Sequence, residues 1–164
     1  MSDSMGTLRF PFLFFLVASA AVVGAALGSQ YLGGLQPCEL CLYERWPYYA
    51  AIVLAMLGFA VRGGMVARVA MWLIVLVFVA SSCLATYHVG VEQHWIAGPT
   101  ACTGGIGGAS SPDELLKMLQ ARQPVQCDVV QWSFRGISLA GFNLIASVLL
   151  FAVSLAMALR GARE

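Results

Sequence analysis

FPFLFFLVASAAVVGAALGSQY, residues 10–31, carries no charged side chain. A bilayer core of about 30 Å takes about 20 helical residues, so this run reads as a membrane-crossing helix. The short polar stretch before it holds Asp3 and Arg9. Ala20, Gly24 and Gly28 recur at four-residue spacing, which places three small side chains on one helix face and predicts ordinary small-residue contact with a neighbouring helix there. A cleavable leader would show one basic residue, an apolar stretch and small residues near Ala26, but its apolar run would be shorter.

The whole chain follows the character of that run. Of 164 residues 60% are hydrophobic and only 10% charged, whereas about 25% of a soluble domain is charged. Nine Lys+Arg against eight Asp+Glu give a net charge of +1, so there is no basic surface to grip nucleic acid. A chain this short holds four crossings and one sizeable loop. The expectation is an all-α polytopic membrane protein, a four-transmembrane-helix bundle forming a single domain over residues 1–164.

Three further crossings are predicted, at about 41–61, 66–88 and 137–159. The second is interrupted by Pro47. From Pro47 to Val61 a helix reaches only about 22 Å, too little to cross, whereas a start near Cys41 gives about 31 Å. The reading is therefore a helix that includes Cys41 to Trp46 and kinks at Pro47. Arg62-Gly63-Gly64 is a tight turn that makes the second and third crossings an antiparallel hairpin. Arg9, Arg62, Arg68, Arg160 and Arg163 fall in three short segments on one side, which the positive-inside rule makes cytoplasmic together with both termini. Arg45, Lys117, Arg122 and Arg135 lie on the opposite side, spread over more chain. The outer loops are then a short one, about 32–40, and a longer one, about 89–136. Within the longer loop, Thr103-Gly104-Gly105-Ile106-Gly107-Gly108 reads as a flexible connector. Ser111-Pro112-Asp113-Glu114, followed by Leu115, Leu116, Met118 and Leu119, has the cap, the first-turn proline and the apolar face of a short helix on the membrane surface.

Four of the five cysteines, Cys38, Cys41, Cys102 and Cys127, occupy those two outer loops. An oxidising compartment permits two bridges, most simply Cys38 with Cys41 and Cys102 with Cys127. Static staples are one reading. A Cys-x-x-Cys pair, however, closes too small a loop to stabilise much and is the usual redox arrangement. The start of a helix favours a thiolate there, and Cys41 is the better placed of the two. Arg45, one turn below Cys41, would stabilise a thiolate or the anionic oxygen of a reduced quinone; a snorkelling anchor is its bland role. His88, at the outer end of the third span, lies at the level of a quinone head group. Cys83, inside that span, reads as a small buried hydrophobe. Metal binding is a competing chemistry, since Cys38, Cys41, His88 and His94 supply zinc-type ligands, but it would leave Cys102 and Cys127 without a purpose. A structural membrane subunit stapled by disulfides is the third class.

The segment Pro37-Cys38-Glu39-Leu40-Cys41-Leu42-Tyr43-Glu44-Arg45 resembles the first periplasmic loop of the DsbB family. The similarity extends over nearly the whole chain: four spans, an Arg-bearing inner turn, Tyr87-His88 closing the third span, and a second outer loop with a cysteine towards each end. The vitamin K epoxide reductase type uses similar chemistry on four helices, yet the hairpin order and the position of Arg45 favour DsbB. The relay from DsbA through DsbB to quinone is the established means by which a bacterial periplasm is kept oxidising. The resemblance implies an inner-membrane, quinone-dependent thiol oxidoreductase that serves a periplasmic DsbA-like thioredoxin-fold partner. In that relay the partner attacks Cys102 and opens Cys102–Cys127, Cys127 attacks Cys38, and Cys41 is released as a thiolate beside a ubiquinone or menaquinone, with Arg45 and His88 near it. A second loop shorter and richer in glycine than the family's long-known pattern implies a difference in how the partner docks.

Overall fold

The computed structural model describes residues 3–61, 63–99, 111–113, 116 and 125–162, with side chains from residue 10 onward. Its helices are α1 (Asp3–Tyr31), α2 (Glu39–Tyr43), α3 (Arg45–Ala60), α4 (Gly64–Glu92) and α5 (Leu139–Gly161), and a two-stranded antiparallel hairpin, β1 (Ser133–Phe134) and β2 (Ile137–Ser138), precedes α5. Among the described residues three helices are long and apolar enough to cross a membrane: α1 from Phe10 to Tyr31, α4, and α5. α3, at 16 residues, is not among them.

The long helices pack as a chain of neighbours. α1 lies on α3, α3 on α4 and α4 on α5, while α1 and α5 touch sparsely. Phe12, Phe15, Tyr48, Ile74 and Phe78 fill the centre, and the Phe78 ring meets those of Phe15 and Tyr48 at centroid distances of 5.9 and 6.1 Å. Much of the remaining interior is small: Ser19, Ala51, Ala55, Ala70, Ser147 and Ser154 are buried. Leu13, Val17, Met56, Leu57, Leu76 and Leu149 point outward instead. Small residues inside and large apolar ones outside is the distribution expected of helices whose solvent is lipid.

Several expectations need correction. The Ala20, Gly24 and Gly28 face is not covered, since Ala20 and Gly24 are exposed and a Cβ at Gly24 or Gly28 would meet nothing within 4 Å. Close approach occurs instead at Gly58, where a Cβ would overlap the Phe12 ring and so hold α1 away from α3. Cys83 is exposed, because α4 turns Ile74, Phe78, Ser81, Ala85 and His88 inward and Cys83 outward. α4 runs on to Glu92, so His88 lies a turn inside the helix and not at its end. α5 begins at Leu139, where Ser138 accepts a hydrogen bond from the N–H of Gly141 at 3.0 Å.

The second predicted span is one long helix in the sequence reading and two helices in the structure. The break falls at Glu44, not at Pro47. Proline lacks the N–H that would bond the carbonyl four residues back, which is Tyr43, so its effect appears one turn upstream. The α3–α4 connection is as tight as expected, with positive φ at Gly63 (95°) and Gly64 (83°). Pro112 and Asp113 are helical, in keeping with the expected helix start; Arg62, Cys102, the glycine-rich stretch, Glu114, Leu115, Lys117, Met118, Leu119, Arg122 and Arg163 lie outside the described residues.

Candidate functional site

The chain leaves α1, passes Gly34 at φ 69° and reaches Cys38 in an extended conformation (φ −72°, ψ 171°). Cys38 is the N-cap of α2, and its Sγ accepts the N–H of Cys41 at 3.2 Å. That geometry turns the Cys-x-x-Cys pair inward. The two sulfurs lie 2.6 Å apart, well inside the contact distance of two thiols and close to that of a disulfide bond, with Cys38 buried and Cys41 half-buried. The thiolate preference expected from the start of a long helix has less support here: α2 has only five residues, and the N–H of Cys41 is taken by Cys38. The Cys38 thiol is pushed up from its ordinary range, first by its close approach to Cys41 and then by burial, which makes it hard to ionise.

His88 faces the pair from α4. Its Nε2 is 3.6 Å from Cys38 Sγ, and its Nδ1 is 3.0 Å from Glu44 Oε1. Both side chains are buried, at 2% and 8% exposure. Glu44 sits at the α2–α3 break, so the discontinuity imposed by Pro47 coincides with a carboxylate aimed into the core. A carboxylate can only accept, so Nδ1–H donates to it and Nε2 is the nitrogen turned to the sulfur. Cys127, buried to 1% exposure, packs in the same small cluster as Cys38, Leu40 and Val91. Three of the four outer cysteines thus meet; Cys102 is the one outside the described residues.

Arg45 makes its contact on the other side. Its Nη1 donates to Gln30 Oε1 of α1 at 2.8 Å, and its Nε is buried without a partner. Across from it on α5, Asn143 Oδ1 accepts from the Tyr48 hydroxyl at 2.6 Å while Asn143 Nδ2, also buried, has no partner. Both residues line a cavity of about 290 Å³ between α1 and α5, where the bundle is least closed, and Cys41 and Trp132 line it too. The cavity is mostly apolar-walled, with two unspent donors and three cysteines, Cys38, Cys41 and Cys127, on its walls. Gln30, Glu44 and Asn143 were not singled out from the sequence. The signal available was simple: each is a polar residue in, or at the mouth of, an apolar helix, where polar groups are costly unless used.

His94, the fourth residue of the alternative metal set, is exposed and stands apart, at φ 57° beyond α4; Cys38, Cys41 and His88 do converge, with their ligand atoms within 4.8 Å of one another.

A membrane-type helical bundle with a dithiol, a third buried cysteine and a buried histidine–carboxylate pair around it defines the class: a membrane thiol oxidoreductase acting in disulfide formation. The family model described as disulfide bond formation protein DsbB matches residues 8–157, and the chain belongs to that family. Among its relatives, the disulfide bond formation protein B of Methylobacillus flagellatus is 30% identical over 85% of this chain and 87% of its own length. That of Hahella chejuensis is 31% identical over 84% of each. The disulfide bond formation protein B 2 of Pseudomonas entomophila is 31% identical over 93% of this chain and 91% of its own.

Proposed function

We propose that the chain is a thiol:quinone oxidoreductase of the bacterial inner membrane that reoxidises a periplasmic DsbA-like dithiol protein. The observation that carries the quinone reading is the pair of buried, unpartnered donors, Arg45 Nε and Asn143 Nδ2, on an apolar cavity bordered by Cys41. An unmet buried donor costs about 1–3 kcal/mol, and a flat apolar ring with carbonyl acceptors would satisfy both. Ubiquinone and menaquinone share that chemistry, and either supplies a two-electron, two-proton sink when bound.

The residues around the cavity have distinct tasks. Arg45 and Asn143 hold and orient the head group, with Gln30 and Tyr48 fixing their other atoms. Cys127, beside Cys38, is the thiol that reaches the pair after a partner opens the Cys102–Cys127 bridge, and Cys38 is the sulfur it attacks. Cys41 leaves as the thiolate on the cavity side, and the resting enzyme carries the Cys38–Cys41 and Cys102–Cys127 disulfides. His88, backed by Glu44, holds a proton at Nδ1 and presents Nε2 to Cys38.

In the membrane the proposal is four crossings, with α2 at the outer boundary completing the short α3, the cysteines periplasmic and both termini cytoplasmic. The test is quinone reduction in detergent driven by a reduced thioredoxin-fold partner. Turnover with both substrates is expected. Partner oxidation without quinone reduction would sink the reading.

A further inference from the structure

Cys38 Sγ, Cys41 Sγ and His88 Nε2 lie within 4.8 Å of one another, and these are the donor types of a tetrahedral soft-metal site. With metal–sulfur bonds of about 2.3 Å and a metal–nitrogen bond of about 2.0–2.1 Å, tetrahedral ligands stand about 3.6 Å apart for sulfur to nitrogen and about 3.8 Å for sulfur to sulfur. The Cys38 Sγ to His88 Nε2 distance is already 3.6 Å. The sulfurs, at 2.6 Å, would have to part, and Cys41, half-buried against the cavity, has the room to turn. The second layer is in place as well. Nδ1–H donates to Glu44 at 3.0 Å, the carboxylate–histidine arrangement that fixes the tautomer of a ligating imidazole.

We propose that the reduced form binds one soft divalent cation of the zinc class through Cys38, Cys41 and His88, with the fourth position open, and that the cation blocks the dithiol from reoxidation. Binding releases the thiol protons of Cys38 and Cys41 to solvent. The site exists only in the reduced protein, because a Cys38–Cys41 disulfide has no thiolate to offer. It needs the dithiol and the histidine but not the quinone, so it stands or falls separately from the function proposed above.

The experiment titrates cobalt(II) into the full-length protein in detergent, reduced with a phosphine, freed of reductant and kept anaerobic. The expected result is one cobalt per chain, with a thiolate-to-cobalt charge-transfer band and tetrahedral ligand-field bands, both displaced by zinc. The oxidised wild type and Cys38→Ser should show neither. Glu44→Gln should weaken binding by about tenfold or more, and Cys127→Ser and Cys83→Ser should keep the bands. No band in the reduced wild type would overturn the proposal, as would a band that persists in the oxidised protein or in Cys38→Ser. Loss of the band in Cys83→Ser would also overturn it. The oxidised wild-type arm involves no substitution, so the result does not hinge on a variant that fails to fold.

Discussion

At the scale of single residues, burial decides which sulfur is reactive. Cys38 caps α2, is buried and has its thiol pushed up, whereas Cys41 is half-buried at the cavity. In the reduced protein at neutral pH, iodoacetamide should therefore label Cys41 before Cys38, which peptide mapping of a timed reaction would read; faster labelling of Cys38 would show that burial does not set the order. Asn143 supports a second expectation. Asn143→Leu removes the unpartnered Nδ2 and should raise the quinone KM roughly two- to tenfold while leaving thiol exchange intact. Tyr48→Phe is the matched control, because it removes only the hydroxyl that occupies Asn143 Oδ1 and leaves Nδ2 in place. An equal KM effect from Tyr48→Phe would mean the amide is a packing residue. Cys38, Cys41 and Arg45 were legible in the sequence because a Cys-x-x-Cys at a helix start with an arginine one turn on is a recognisable spacing. Glu44 was not, since a carboxylate beside an arginine at a helix start passes for an ordinary surface charge; its burial against His88 depends on a contact 44 residues away.

Among the elements, α1, α4 and α5 could be read directly from their long, predominantly apolar runs, and α2 with α3 could not. A proline shows where a helix must lose a hydrogen bond, but the discontinuity lands on the carbonyl side, one turn earlier. The face of each span was also hidden. When every side of a helix is apolar, no period separates the face toward lipid from the face toward the core, so Cys83 and the Ala20, Gly24 and Gly28 row were assigned to the wrong side. Contact with a neighbour decides it, and for α1 and α3 that contact is Phe12 on Gly58. Gly58→Leu should cost about 1–3 kcal/mol by forcing those helices apart, seen as a lower Tm in detergent. Adding Phe12→Ala should recover part of the loss. Wild-type melting of Gly58→Leu would mean that α1 does not approach α3 there.

For the molecule as a whole, the proposed relay brings thiols in at Cys127 and sends electrons out through Cys41 to an acceptor in the cavity. Cys127 is packed against Cys38 beside Val91 of α4, and Cys38, Cys41 and Cys127 all border the cavity between α1 and α5 that Arg45 and Asn143 line. Two lesions should therefore fail in opposite ways. Cys127→Ala removes the thiol that reaches Cys38, so a reduced partner protein should no longer drive quinone reduction, while a small dithiol able to reach Cys38–Cys41 directly still should. Ala146→Phe, on α5, places a ring in the cavity itself, and should raise the quinone KM by about tenfold or more whichever thiol is supplied. The same Ala146→Phe protein should still exchange disulfides with the partner in a single turnover, because all four exchanging cysteines are kept. Both readings come from one assay, quinone absorbance against partner redox state, run with two reductants. If Cys127→Ala turns over the partner at the wild-type rate, the second cysteine pair is a staple and Cys127 is not the point of arrival. If Ala146→Phe reduces quinone normally with both reductants, the acceptor binds elsewhere, and the unpartnered donors of Arg45 and Asn143 serve some other group.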